Sequence, residues 1–324
     1  MKSFVKRKFD VTKDGRDIFV YTLENENGMK LSVLDYGMRI QTLYVPDEDG
    51  DLVNVVMGFD KMPRYEGGGC YGALIGRFAN RIKDAKYVLN GEEVKLTVND
   101  HTNYIHGNYE HTVFDIEASD GKLTGTYLSP AGEFGFPGNL NVKATYELTE
   151  DNEVILTYEA ETDAPTVVNI TNHSYLNLDG MPENADEVSK ETVNVFAHKM
   201  TVNADAYLEA DDINMVTGKV IPVEGTDFDF RTEREIGGML YDHNFNINGY
   251  DGTLKKAVEL TGPGSGIKLE LWTTQPGVQV YTGAKKAVAL ETQHYPDGPN
   301  HPEWPSTTLL PGETYREQTV YKFI

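Results

Sequence analysis

The run from Val167 to Gly180, VVNITNHSYLNLDG, sets His173 between Asn172 and Ser174. It opens as an apolar, β-branched strand and then turns into residues whose side chains all form hydrogen bonds. On a strand, alternate side chains point to opposite faces, so His173 and Tyr175 share one face while Asn172 and Ser174 share the other. An imidazole titrates near pH 6.5 when unperturbed, so a histidine held by polar neighbours is a candidate acid or base. The competing reading is a histidine satisfied inside a sheet.

Other runs carry comparable chemistry. Gly76 to Ile82, GRFANRI, offers Arg77 and Arg81, planar forks of donors suited to carboxylates or vicinal hydroxyls. Either arginine could equally bridge loops through backbone carbonyls. His106 sits in the polar loop HTNYIHGN. Tyr241 to Phe245, YDHNF, puts Asp242 beside His243. Thr273 to Gly283, TTQPGVQVYTG, carries Gln275 and Gln279 around a Pro-Gly bend. Glu291 closes an apolar strand and opens the loop LETQHYPDGPNHPEW. Functional side chains often sit at such strand exits, although a glutamate there can also simply order the loop.

Several chemistries find no support. No pair of ligand residues shows a compact spacing such as HExxH, so no metal is expected. No GxSxG elbow is present, and Ser174 adjoins His173, so their side chains diverge on a strand. No GxGxxG or Walker loop offers a seat for a dinucleotide or a nucleotide phosphate. Asp242 and Glu291 could flank a sugar as a glycosidase pair, but nothing in the sequence sets their separation.

The elements that must position these residues are strands. Turn signals recur at Asn27-Gly28, Asp49-Gly50, Asn90-Gly91, Asp120-Gly121, Asp151-Asn152, Asp251-Gly252 and Gly262 to Gly266. Such dipeptides tolerate the positive φ of tight hairpins. Alternating runs lie between them, with Tyr87–Leu89 before Glu92–Leu96 and Val142–Leu148 answered by Val154–Tyr158. This predicts an all-β chain, a large antiparallel β-sandwich with very little helix, apart from one turn near Glu233 to Leu240. No linker or repeat divides the 324 residues, so residues 1–324 are expected to form a single domain.

The chain carries 29 Lys and Arg against 51 Asp and Glu, a formal net charge of −22. Such a surface repels phosphate backbones and anionic bilayers, so neither nucleic acid nor membrane is an expected partner. A single cysteine, Cys70, rules out an internal disulfide and fits a reducing compartment. It has no assignable role beyond that of a small buried hydrophobe. The N-terminus MKSFVKRKFDV lacks the apolar stretch of roughly 7–15 residues that a secretory leader requires. A cytoplasmic protein is the expectation.

Taken together, TNHSYLNL, GRFANRI, YDHNF, TTQPGVQVYTG and LETQHYPDGPNHPEWPSTTLLPGETY resemble the aldose 1-epimerase (galactose mutarotase) family. SPAGEFGFPGNL from Ser129, YEAETDAPTVVN from Tyr158, NADAYL from Asn203 and GTDFDFR from Gly225 extend the likeness in the family's order. The resemblance runs from about residue 10 to the C-terminus. It implies a β-sandwich with a sugar cleft and cofactor-free interconversion of the α and β anomers of free aldohexoses such as galactose and glucose. It matches His173 to the family's catalytic acid and Glu291 to its base. It matches Asn80, Arg81, His106, Tyr175, Asp242 and Gln279 to residues that hold the sugar. A monomer or loose homodimer acting on a small-molecule sugar is implied.

The chain departs from the family pattern in places. Asn108 stands where a second glycine is common, and asparagine's tolerance of positive φ lets the loop survive. Leu176 replaces a usual phenylalanine, and the stretch from Tyr281 to Glu291 is short. Alternatives within reach are an epimerase of a sugar phosphate, with Arg77 and Lys285-Lys286 as the spare cations, and a non-catalytic carbohydrate binder. For mutarotation, the expectation is a carboxylate near His173, such as Asp242, that keeps it protonated. Burial is expected to raise Glu291, and the pair should give a bell-shaped pH profile.

Overall fold

A computed structural model describes residues 4–324; the first residues of the N-terminal run, where the leader reading begins, lie outside the described residues. The strands fall into three main antiparallel sheets and several two-stranded ribbons. The first five strands form a meander, from Phe4–Val11 through Asp17–Glu24, Lys30–Leu34 and Arg39–Pro46 to Leu52–Asn54. A nine-stranded sheet centres on Leu140–Leu148, Glu153–Thr162 and Tyr315–Phe323. A six-stranded sheet runs in the order Tyr175–Leu176, Val288–Gln293, Gly277–Tyr281, Asp242–Asn246, Ala206–Ala210, Val216–Pro222.

Period-two patterning builds the large sheet. In LNVKATYEL, Leu140, Val142, Ala144, Tyr146 and Leu148 are buried while Asn141 and Lys143 face solvent. The partner strand buries Val154, Leu156, Tyr158 and Ala160 in register, with Ala144 opposite Tyr158. The expected hairpins form except at Asp251-Gly252, which instead links Asp242–Asn246 of the six-stranded sheet to Lys255–Thr261 of the nine-stranded one. Asn90-Gly91 (φ 53° and 85°) joins Lys86–Leu89 to Glu92–Lys95, and Asp120-Gly121 (φ 49° and 79°) joins Asp115–Ser119 to Lys122–Ser129. Two successive positive φ values give a type I′ turn, whose twist matches that of the strands.

The helix reading needs correction. Residues 233–240 hold no helical turn; Arg234–Glu235 pair as a short edge strand with Lys199 and Met200. The α-helix of the described residues is instead Met62–Glu66, with Pro63 in its first turn and Met62 and Tyr65 buried. Five residues are too few for periodicity to reveal, and proline at the helix start was the available cue.

One apolar core draws from all three main sheets, including Leu31, Leu43, Leu123, Leu156, Val258, Val278, Val280 and Leu290. The six-stranded sheet is covered on both faces, which is why Val288–Gln293 is buried at every position. Val288 and Leu290 enter the core, and Ala289 and Glu291 face the other way. That second face carries the polar residues of interest.

Candidate active site

Strand pairing alone gathers the key side chains. Glu291 lies directly across from Gln279, Gln279 across from Asn244, and Asp242 across from Tyr281. Tyr175 pairs with Ala289, two positions before Glu291. Directly opposed residues of antiparallel strands point to the same face. One face therefore presents Tyr175, Glu291, Gln279, Tyr281 and Asp242 together.

His173 arrives from the break between two short strands, Thr171–Asn172 and Tyr175–Leu176. Its backbone is clamped on both sides: its N–H donates to Ala73 O at 2.8 Å, and its carbonyl accepts from Gly72 N–H at 2.9 Å. Asn172 steadies the turn by accepting from Ser174 N–H and Oγ–H at 3.0 and 2.6 Å. Ser174 is thereby engaged and plays no part beside the imidazole. The ring of His173 lies 4.8 Å from Tyr175 at 30° and meets His106 edge-on at 5.6 Å. Nε2 of His173 stands 3.4 Å from Oε1 of Glu291. Sequence reasoning placed His173 and Tyr175 on one face but could not bring Glu291 to them, since 118 residues separate the pair and the contact arises only through the sheet.

Asn80 and His106 are locked to one another. His106 N–H donates to Asn80 O at 3.2 Å, and Asn80 N–H donates to Nδ1 of His106 at 3.1 Å. Nδ1 is thus the acceptor nitrogen, and Nε2 carries the ring proton of the neutral imidazole. The loop after His106 depends on two glycines. A Cβ on Gly107 (φ 87°) would meet Gly76 O at 2.3 Å, and one on Gly76 would meet the Tyr109 ring at 2.3 Å. Asn108 has φ −144°, so the positive φ expected of it is carried instead by His106 (φ 59°) and Gly107. Asparagine survives here because nothing requires glycine, and its Nδ2–H donates to Glu133 Oε1 at 3.2 Å.

Arg81 donates through Nε to Asp100 Oδ2 at 2.6 Å, in a pair only 12% and 20% exposed. Its Nη groups have no partner among the described residues. Asp100 was missed from the sequence, because its role depends on a fold-back across 19 positions. Arg77 is different: it is buried and donates to the carbonyls of Ser129, Pro130, Pro137 and Gly138 and to Ser129 Oγ. It ties loops together and offers nothing to a cleft. His243 points away from Asp242, into a cluster with Phe228 and Tyr207.

These side chains surround a cavity of about 310 Å³. That size lies at the lower end of the roughly 300–1,000 Å³ usual for small-molecule sites. Asn80, Arg81, His106, His173, Tyr175, Asp242 and Glu291 line it, joined by Cys70, Ile105, Asn214 and Tyr281. Cys70 packs against the buried cluster of Ala73, Ile75 and Ala79, in keeping with a small hydrophobe, and also reaches the cavity wall. Gln279 stands behind the wall, donating to Asp242 Oδ1 at 2.6 Å. A larger open groove of about 480 Å³ over Tyr127, Lys143 and Glu159 contains none of these groups. The short segment after Tyr281 is a tight turn, with Lys285 N–H donating to Thr282 O at 2.8 Å, and Leu176 is fully buried.

Burial governs the electrostatics. It pushes His173 down to about 4, with buried Arg39 adding to the effect, while a backbone hydrogen bond opposes it. The expectation of a carboxylate holding His173 protonated is thus reversed, because desolvation outweighs any nearby charge. Burial raises Glu291 well above the ordinary carboxylate range, helped by repulsion from Asp242. Asp242 is itself raised by burial, against its bond from Gln279. His106 is held neutral by burial and by its neighbours His173 and Arg81. The pair His173–Glu291 accordingly shares one proton across a wide pH range, a poise suited to moving a proton on and off a bound molecule.

Comparison with known proteins identifies relatives of the whole chain. The family model of aldose 1-epimerase matches residues 20–322. Galactose mutarotase of Homo sapiens is 35% identical over 91% of each chain, and aldose 1-epimerase of Escherichia coli K12 is 33% identical over 96% of each. Among solved structures, galactose 1-epimerase from Lactobacillus acidophilus superposes with a TM-score of 0.85 at 26% identity, covering 100% of this chain and 99% of that one.

Proposed function

The chain belongs to the aldose 1-epimerase family, and from that membership we infer how its cleft works. The protein is an isomerase that interconverts the α and β anomers of aldoses such as galactose. We propose that the pair His173 and Glu291 performs the chemistry on free aldohexoses, galactose and glucose among them. The observation that supports this most is the 3.4 Å approach of Nε2 to Oε1 inside a sugar-sized polar cavity.

Mutarotation opens the pyranose, turns the C1–C2 bond and recloses on the other carbonyl face. Glu291 as carboxylate takes the proton of the C1 hydroxyl. The C1–ring oxygen bond breaks with its electrons passing to the ring oxygen, which takes a proton from the His173 imidazolium. Closure reverses both transfers. Burial by the protein favours the uncharged pair, neutral imidazole and carboxylic acid. The charged pair holds the same number of protons, so sugar hydroxyls donating to Glu291 need only shift a shared proton. Each positioned transfer contributes about 10²–10⁴-fold. Glu291 Oε2 is buried and has no partner among the described residues, leaving it to accept from a hydroxyl. His106 Nε2–H and the Arg81 Nη groups are placed to donate to sugar oxygens. Asp242, held by Gln279, and Asn80 are placed to fix hydroxyls, and Tyr175 and Tyr281 give apolar ring faces. A site of this kind rejects sugars that leave a buried polar group unpaired, at about 1–3 kcal/mol each.

A sugar phosphate is poorly served. Arg77 is consumed by carbonyls, Lys286 Nζ donates to Ala185 O at 2.8 Å, and two carboxylates face the cavity. A pure binding role gives no reason to desolvate an imidazole and a carboxyl against one another. We further propose a single domain working in the cytoplasm, as a monomer or loose homodimer, without nucleic-acid or membrane partners and without a cofactor. The continuous core, the single thiol and the acidic surface support this reading, and among the described residues no helix is long and apolar enough to cross a membrane. Polarimetry of fresh α-D-galactose, α-D-glucose and α-D-glucose 6-phosphate tests the substrate class. Faster decay with both free sugars and little with the phosphate is expected. Acceleration confined to the phosphate would overturn it.

A further inference from the structure

Three stretches of chain that are distant in sequence supply the cleft, and one buried side chain joins them. His173 follows Asn169 by four positions, Asn80 and Arg81 follow Ala79, and Glu291 precedes His294 by three. Asn169 sits fully buried in the run VVNIT, which is otherwise patterned as an apolar strand. A polar group left unpaired there would cost about 1–3 kcal/mol, so its partners matter. Its backbone N–H donates to Arg77 O at 3.1 Å, and its carbonyl accepts from Ala79 N–H at 2.7 Å. Its Oδ1 accepts from His294 N–H at 2.9 Å, while Nδ2 donates to Ala79 O at 3.1 Å and His294 O at 3.2 Å. Ala79 and His294 both lie outside the strands, so the carboxamide supplies contacts that a ladder gives elsewhere. Past Arg81, Asp297 fixes the far end: its N–H donates to Arg81 O at 2.7 Å, and its Oδ1 accepts from Lys83 N–H at 2.9 Å. Asn169 grips the near end, which leads into Asn80 and through it to Nδ1 of His106.

We propose that Asn169 is a positioning residue of mutarotation, whose carboxamide sets the spacing between Asn80 and Arg81, which hold the sugar, and Glu291, which takes its proton. The proposal rests on the roles given above to those three residues. Asn169 is not part of the cavity wall and acts only through Ala79 and His294. A displacement of about 1 Å, transmitted from a residue away from the chemistry, can cost on the order of 10²-fold in rate.

Mutarotation of α-D-galactose by Asn169→Ala and Asn169→Asp, beside Asn25→Ala, tests this. Asn25 is a comparably buried carboxamide outside the cavity wall, donating to Thr149 O at 2.9 Å and accepting from Met29 N–H at 2.9 Å. Per folded molecule, Asn169→Ala should lose at least about 10-fold in kcat/KM and Asn25→Ala less than about 2-fold. Asn169→Asp still accepts from His294 N–H but cannot donate to the two carbonyls, so it should be impaired too. By NMR, His106 should hold the pure Nε2–H tautomer in the parent and a mixture in the Asn169 variants. Parent-like kcat/KM or an unaltered His106 signal in a folded Asn169 variant, or an equal loss in Asn25→Ala, would overturn the proposal. If neither Asn169 variant folds, hydrogen exchange in the parent decides. His294 N–H should exchange at least about 100-fold more slowly than a free amide, and exchange at the free rate would overturn the pin. A parent that does not mutarotate would sink the functional reading separately, while the exchange and tautomer measurements still test the placement.

Discussion

At His173 the surroundings, more than the residue type, set the chemistry. The imidazole is buried against Tyr175 and near Arg39, so protonating it costs more than it would in water. Glu291 is buried beside it and resists ionisation for the same reason. The signs are opposite, a base pushed down and an acid pushed up, so the one-proton form of the pair spans the range between them. Below about pH 4 the pair gains a second proton and loses its base. Above the raised value of Glu291 it loses its last proton and its acid. The kcat/KM profile should therefore fall on the acid side only near 4, be level above that limb, and fall again on the alkaline side as Glu291 ionises at its raised pKa. An acid limb centred near 6.5, the ordinary value for histidine, would show that His173 is not held neutral as described.

At the scale of elements, the cleft depends on a loop and a sheet fitting closely. The loop carrying His106 packs on the loop carrying Arg77 through Gly107 and Gly76, with no room for a methyl group. Gly107→Ala adds both a clash and an unfavourable φ of 87°, so it should cost at least about 2 kcal/mol in urea unfolding and lower activity by displacing His106. Asn108→Gly should change stability by only about 1 kcal/mol, since its φ is already negative and one half-buried hydrogen bond, to Glu133, is lost. Equal effects of the two substitutions would contradict this account of the loop. Here the sequence was informative about hairpins, whose signals are local: Asn90-Gly91 and Asp120-Gly121 turn as their residue types require. It was silent on contacts made across distance. Asp100 bracing Arg81, Tyr281 walling the cavity and Cys70 entering it all follow from packing between segments that periodicity cannot relate. Asp242 and His243, neighbours in the chain, face opposite sides of one strand, as alternation requires.

For the molecule as a whole, 51 acidic residues must be accommodated, and Asp35 shows the cost of burying one. Desolvation raises it to about 6 although its carboxylate accepts from Phe19 N–H at 3.0 Å and feels Lys6. An acid raised on folding stabilises the native state below its unfolded pKa, and that contribution is lost as pH rises through about 6. Asp35→Asn should therefore raise Tm at pH 8, by on the order of 1 kcal/mol of stability, and lose that advantage near pH 4. A lower Tm for the variant at pH 8 would contradict the reading. The all-β architecture was legible in alternation and turns, and the family in the ordered motifs. The reversal at His173 was not, because burial depth is a property of the finished fold. The central claim is that His173 and Glu291 act as one proton-shuttling unit, and polarimetry of α-D-galactose with His173→Asn, Glu291→Gln and the double variant tests it most directly. Each single substitution should cut kcat by about 10²-fold or more, with the double variant little worse than the poorer single, as expected of groups that act together. A Glu291→Gln enzyme within a few-fold of the parent, or strictly multiplicative losses in the double variant, would contradict it.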